Sequence, residues 1–144
     1  MPLRESNAQW NGGLKKGNGF ISSQSGALES FYSFGSRFQE GHEGTNPEEL
    51  IGAALAGCFS MFFSMLLEQR GHEPRTIQTR SKVHLDQTEK GFQISSIELH
   101  SEADVPQIEE RALKNIAEEA KRGCPVSQAI KVPVSLSISL KTTS

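Results

Sequence analysis

The chain has 144 residues, enough for a single domain with a real core. Charged residues make up 22% and the formal net charge is −2, which gives no electrostatic footing for nucleic acid or an anionic membrane. The opening MPLRESNAQW has no apolar run of the kind a secretory leader needs, so a reducing, cytoplasmic setting is expected, with no structural disulfide.

Residues 7–34 read as three short strands. Asn11-Gly12-Gly13 and Gly17-Asn18-Gly19 are turn signals, while Phe20-Ile21-Ser22-Ser23 and Phe31-Tyr32-Ser33-Phe34 carry β-propensity on either side of Ser25-Gly26. Gly35 through Gly44 reads as a loop containing Arg37, which has Glu40 and Glu43 as nearby partners.

From Asn46 to Gly71 the spacing predicts one long helix. Asn46 suits the N-cap, Pro47 the first turn, and Glu49 the far end of a capping box, with Gly71 ending the helix in a left-handed conformation. Between Leu50 and Leu67 the only ionisable side chain is the Cys58 thiol, so burial on nearly every side is expected. That run only just reaches bilayer length and carries Gly52, Gly57, Ser60 and Ser64. Its flanks show no clear positive-inside bias, so a core helix, shared between two subunits, is preferred to a membrane span. Phe59, Met61, Phe62, Phe63 and Met65 are assigned mainly to packing.

Thr76–Leu85 alternates as a strand, and Asp86–Gly91 makes a hairpin connection. In Phe92–Val105 the apolar parity slips between Ile94 and Ile97, which predicts a β-bulge at Ser95-Ser96. Gln107–Lys121 has helical periodicity, ends at Gly123, and leads through Cys124 into a short helix opened by Pro125. Val132–Leu140 alternates as a last strand, its Pro133 pointing to an edge or a strand start. The order is β-β-β-α-β-β-α-β, an α+β domain over 1–144 with mostly antiparallel pairing and tails at 1–6 and 141–144.

Cys58 and Cys124 form no C-x-x-C motif, and His42, His72, His84 and His100 show no metal-ligand spacing; the histidines are taken as surface residues. A mid-helix cysteine such as Cys58 is ordinarily a small hydrophobe unless some other group favours its thiolate. Cys124, at a helix start, has the local field that would lower a thiol pKa.

The wording Gly44-Thr45-Asn46-Pro47-Glu48-Glu49-Leu50 followed by Cys58-Phe59, together with Gly123-Cys124-Pro125-Val126-Ser127-Gln128 and Arg37-Phe38 upstream, resembles the OsmC/Ohr family. It is nearer the OsmC branch, with Ala56-Gly57 a mild departure from the usual Ala-Ala. The resemblance covers residues 1–141. It implies an OsmC-like fold, an intertwined homodimer, and a thiol peroxidase acting on organic hydroperoxides. Carried over residue by residue, Cys58 is the peroxidatic thiol, Cys124 the resolving thiol that forms a disulfide with it, and Arg37 and Glu48 the activating pair. No bound cofactor or metal is implied; an external dithiol, of lipoyl type in the family, would be the reductant.

Helix arithmetic adds a constraint. An unbroken helix sets the α-carbons of Glu48 and Cys58 about 15 Å apart along its axis. Either the helix breaks between them or Glu48 reaches the thiol from a second chain, and the uninterrupted pattern favours an obligate homodimer. Two rivals stand beside the enzyme: a small-molecule-binding dimer with an apolar interface pocket, and a redox sensor without turnover.

Overall fold

The structure, a computed structural model, describes residues 2–141; residue 1 and most of the expected C-terminal tail lie outside them. Strands β1 (Ser6–Asn11), β2 (Asn18–Ser23) and β3 (Glu29–Tyr32) come first, then helices α1 (Phe34–Phe38) and α2 (Pro47–Gln69). Strands β4 (Thr76–Thr88) and β5 (Gly91–Asp104), helices α3 (Glu110–Gly123) and α4 (Pro125–Ala129), and strand β6 (Val134–Leu140) complete the chain. The expected α+β order is present, with α1 added where a loop was expected. The chain divides into two compact units, Met1–Leu50 and Ile51–Ser144.

In the first unit, β1, β2 and β3 form an antiparallel meander. Trp10 and Tyr32 flank Gly19 on neighbouring strands and their rings meet at 5.3 Å; any side chain at Gly19 would collide with both. Strand β3 stops at Tyr32, short of the expected Phe34, because Ser33 leaves the ladder to cap α1. The Ser33 hydroxyl accepts from the Ser36 amide at 3.1 Å, and the Ser36 hydroxyl accepts from the Ser33 amide at 2.9 Å. This reciprocal cap organises a five-residue helix too short to show any period in the sequence.

The second unit is built on the sheet β4-β5-β6. Strands β4 and β5 are antiparallel, and their register shifts so that His84 faces Ser96 while Leu85 faces Ile94, leaving Ser95 as the extra residue of the expected bulge. Strand β6 runs parallel to β5 and sits at the sheet edge, starting just after Pro133. Helix α3 begins at Glu110 rather than Gln107, because Pro106-Gln107 forms a turn with Gln107 at φ 58°.

Helix α2 lays Leu55, Phe59, Phe63 and Leu67, one helical turn apart, into the core beside Ile97 and Leu99 of β5 and Leu113, Ile116, Ala117 and Ala120 of α3. Its C-terminus closes as a Schellman motif: the His72 amide donates to the Leu67 carbonyl and the Gly71 amide to that of Glu68, with Gly71 at φ 83°. The expectation of burial on nearly every side is corrected. Ala53, Ala54, Gly57, Met61 and Met65 make one exposed apolar face, with Met61 78% exposed. By length and hydropathy α2 also meets the requirement for a membrane span, but its opposite face is the fully buried core of this unit.

Gly44 adopts φ 109°, and a Cβ there would lie 2.5 Å from the Phe31 carbonyl oxygen; Gly26 has φ 78° with open space around it. Gly44→Ala is therefore expected to cost about 2–3 kcal/mol of unfolding free energy, against about 1 kcal/mol for Gly26→Ala. Equal costs in urea unfolding would show that the close approach at Gly44 contributes nothing.

Candidate active site

The GTNPEE segment acts as a clamp. The Thr45 amide donates to the Phe31 carbonyl at 2.9 Å, and the Ser36 hydroxyl donates to the Thr45 carbonyl at 2.7 Å. The Asn46 side chain donates to the Ser36 carbonyl at 3.1 Å while its Oδ1 caps α2 by accepting from the Glu49 amide at 2.7 Å. Only half of the expected capping box forms, since the Glu49 carboxylate accepts instead from the Thr45 hydroxyl at 2.9 Å. These bonds tie α1 to the first turn of α2.

That clamp brings Arg37 to Glu48. Arg37 donates to Glu48 Oε1 from Nε at 3.1 Å and from Nη2 at 2.8 Å. The guanidinium also lies 5.2 Å from the centre of the Phe38 ring. Its acidic loop neighbours Glu40 and Glu43 are not the partners. Glu48 is 6% exposed, and its Oε2 has no hydrogen-bond partner among the described residues.

The thiols occupy the second unit. Cys58 is half-buried on α2, packed against the core, and Cys124 is fully buried; neither is in a disulfide. Cys124 is both the end of α3 and the N-cap of α4, with Pro125 at the first helical position, as expected. The expected lowering of its pKa is corrected. Burial pushes the Cys124 thiol up, its side-chain hydrogen bond with Cys58 adds to the rise, and the Ser127 and Val126 amides oppose it. Desolvation outweighs the helix-start field, so Cys124 is held as a neutral thiol beside Cys58. The ring of Phe62 packs on Gly123, where a Cβ would meet it at 2.7 Å.

The four expected residues thus fall into two pairs, Arg37 with Glu48 in one unit and Cys58 with Cys124 in the other. Of the histidines, His84 and His100 both contact the Glu98 carboxylate on the outer face of the sheet, and they hold its pKa below the ordinary range. Among the described residues no cluster of three or more His, Cys, Asp or Glu side chains could hold a metal ion. Sequence reading missed an apolar cavity of about 230 Å³ beside Arg37, walled by Trp10, Leu14, Tyr32, Phe34 and Phe38. The crowding of aromatic residues around Arg37 was its only advance signal.

Comparison with known proteins places these pairs in context. The model of the family described as "OsmC-like protein" matches residues 40–139, a stretch that includes Glu48, Cys58 and Cys124. Peroxiredoxin OsmC of Escherichia coli is 46% identical over 140 residues, covering 96% of this chain and 97% of that protein. The organic hydroperoxide resistance protein OhrB of Bacillus subtilis is 28% identical over 124 residues, 85% of this chain and 89% of that one. Its crystal structure superposes with a TM-score of 0.72 at 24% identity, over 95% of this chain and 98% of the other. A family match over residues 40–139, the stretch that holds the cap, the carboxylate and both thiols, together with a 46% identical relative over nearly the whole chain, means that this chain belongs to the OsmC-like protein family.

Proposed function

We propose that this protein is a thiol peroxidase that reduces organic hydroperoxides to alcohols. The observation that carries the reading is the pairing of a half-buried thiol, Cys58, packed on the core, with a fully buried thiol, Cys124, near enough to influence its ionisation. Relatives in Escherichia coli and Bacillus subtilis, peroxiredoxin OsmC and the organic hydroperoxide resistance protein OhrB, support the same chemistry.

Chemically, the Cys58 thiolate attacks one oxygen of the hydroperoxide. An S–O bond forms, the O–O bond breaks, and the departing alkoxide takes a proton to leave as an alcohol, with Cys58 as a sulfenic acid. The Cys124 thiol then attacks that sulfur; a disulfide forms and water leaves. An external dithiol, of lipoyl type in our reading, reduces the disulfide by two exchange steps and is itself oxidised.

Arg37 is assigned the activating role. A guanidinium beside the sulfur favours the thiolate and can donate to the oxygen on which negative charge develops. Arginine suits this better than lysine because its donors form a fixed fork, held in orientation here by Glu48. The helix arithmetic now applies to a helix seen to run unbroken from Pro47 to Gln69. We therefore place the Arg37–Glu48 pair of one subunit at the Cys58 of another, in a cytoplasmic homodimer. The exposed apolar face of α2 and the unpartnered Glu48 Oε2 support a second chain closing over the first.

Steady-state assays with cumene hydroperoxide and a dithiol test the chemistry. Cys58→Ser should abolish turnover, Cys124→Ser should allow one fast turnover and then stall with Cys58 oxidised, and Arg37→Ala should lower kcat/KM by about 100–1,000-fold. Full activity in Cys58→Ser, or the stalled phenotype there and none in Cys124→Ser, would overturn these assignments.

The assembly has its own test. Met61→Asp puts a charge on the exposed face of α2 and should lower both the dimer fraction seen in sedimentation and the turnover measured on the same sample. A wild-type chain that sediments as an active monomer would overturn the dimer.

A further inference from the structure

One close approach in the second unit has no part in the chemistry just described. Phe62 follows Cys58 by four residues on α2, so their side chains share a face of the helix, one turn apart. The Phe62 ring is half-buried against the core and presents an edge to Gly123. A Cβ at Gly123 would lie 2.7 Å from Cε1 of that ring and 2.9 Å from Cζ. Gly123 is the last residue of α3 and the immediate neighbour of Cys124.

Gly123 does not adopt a positive φ, so its backbone conformation makes no demand for glycine. The three atoms nearest to a Cβ there all belong to Phe62. The missing side chain therefore lets the ring settle on the backbone just before the buried thiol. Leu113, Ile116, Ala117 and Ala120 pack the body of α3 into the core, and Phe62 extends that packing to its last residue. The Cys124 amide donates to the Ala120 carbonyl at 3.0 Å, a bond that ties Cys124 to α3 but does not tie α3 to the cysteine helix. A disulfide usually needs its α-carbons within about 4.4–6.8 Å and a narrow dihedral range, so small shifts of either backbone matter.

We propose that Phe62 is a positioning residue for disulfide closure: by bearing on Gly123 it keeps the Cys124 thiol within reach of Cys58 once Cys58 is a sulfenic acid. This rests on the peroxidase reading. In closure the Cys124 sulfur attacks the Cys58 sulfur, the S–S bond forms, the S–O bond breaks, and hydroxide leaves with the Cys124 proton as water. The competing step is attack of the sulfenic sulfur on a second hydroperoxide. A second S–O bond then forms, the O–O bond breaks, an alcohol leaves, and Cys58 ends as a sulfinic acid. Phe62 thus governs how much hydroperoxide the protein survives.

Rapid quenching of the reduced protein after mixing with cumene hydroperoxide, followed by intact mass spectrometry, resolves the sulfenic, disulfide and sulfinic forms. In Phe62→Ala the ratio of closure rate to sulfenic acid formation rate should fall about 10–100-fold, and the sulfinic form should accumulate at lower hydroperoxide. Phe62→Leu, which keeps an apolar side chain, should lower the ratio less, and it decides the question if Phe62→Ala does not fold. Gly123→Ala should lower the ratio by displacing the ring, and Phe62→Leu combined with Gly123→Ala should bring it back toward the unmodified value. A second readout needs no peroxide: at equilibrium with glutathione, Phe62→Ala should favour the dithiol by about tenfold, which is ~30 mV toward easier reduction. An unchanged ratio and equilibrium, or equal slowing of both steps, in a folded Phe62 variant would overturn the positioning role while leaving the peroxidase standing. An unmodified protein that hydroperoxide does not oxidise at Cys58 would instead overturn the peroxidase reading, and the proposal with it.

Discussion

A carboxylate shut away from water is costly to a fold unless a cation and hydrogen bonds compensate it, and Glu48 is such a carboxylate. Arg37 answers half of its demand through Oε1, and the positive end of the α2 dipole helps at the first turn where Glu48 sits. Much of the local architecture serves this one pair. The Ser33–Ser36 cap creates α1, the bonds from Ser36 and Asn46 fasten it to the start of α2, and Gly44 lets the chain pass against the Phe31 carbonyl. Removing Arg37 therefore does two things at once: it takes away a cation and leaves a buried charge without compensation.

The thiols are arranged by the opposite physical device. Among the described residues of their unit, it is the packing of α2 against β5 and α3 that orders them. Leu55, Phe59, Phe63 and Leu67 fix the rotation of the helix, and that rotation sets Cys58 on the boundary between the buried stripe and the exposed face. Cys124 is sealed, and burial keeps its proton in place despite the amides of α4. Such an asymmetry suits a two-thiol peroxidase. In the proposed mechanism the accessible sulfur meets the oxidant first, and the protected one becomes useful only after its neighbour is a sulfenic acid.

Much of this could be read from the residues. Asn46, Gly71, Pro125 and Pro133 act through local backbone rules, and each sits where those rules put it. The bulge at Ser95 followed from side-chain parity, which a single extra residue must invert. Helix α1 was invisible because a reciprocal serine cap carries no periodicity. The face of Ala53, Gly57 and Met61 was misjudged because an apolar stripe looks the same whether it packs inside its own chain or is left for another surface. Cys124 was misjudged because its helix-start field is local and legible, whereas the burial that outweighs it is tertiary. The aromatic cavity was missed for the same reason, since Trp10 reaches Tyr32 only across the β1-β2-β3 meander.

In the proposed assembly the cation and the sulfur of each site come from different subunits. Two variants that are each inactive, Cys58→Ser and Arg37→Ala, separate the possibilities when their subunits are allowed to exchange. If the site is shared, each mixed dimer regains one complete site, and turnover should recover to roughly a quarter of the wild-type level at statistical exchange. If subunit exchange is verified by mass and the mixture stays inactive, the cation and the sulfur act within one chain, and the shared site is wrong.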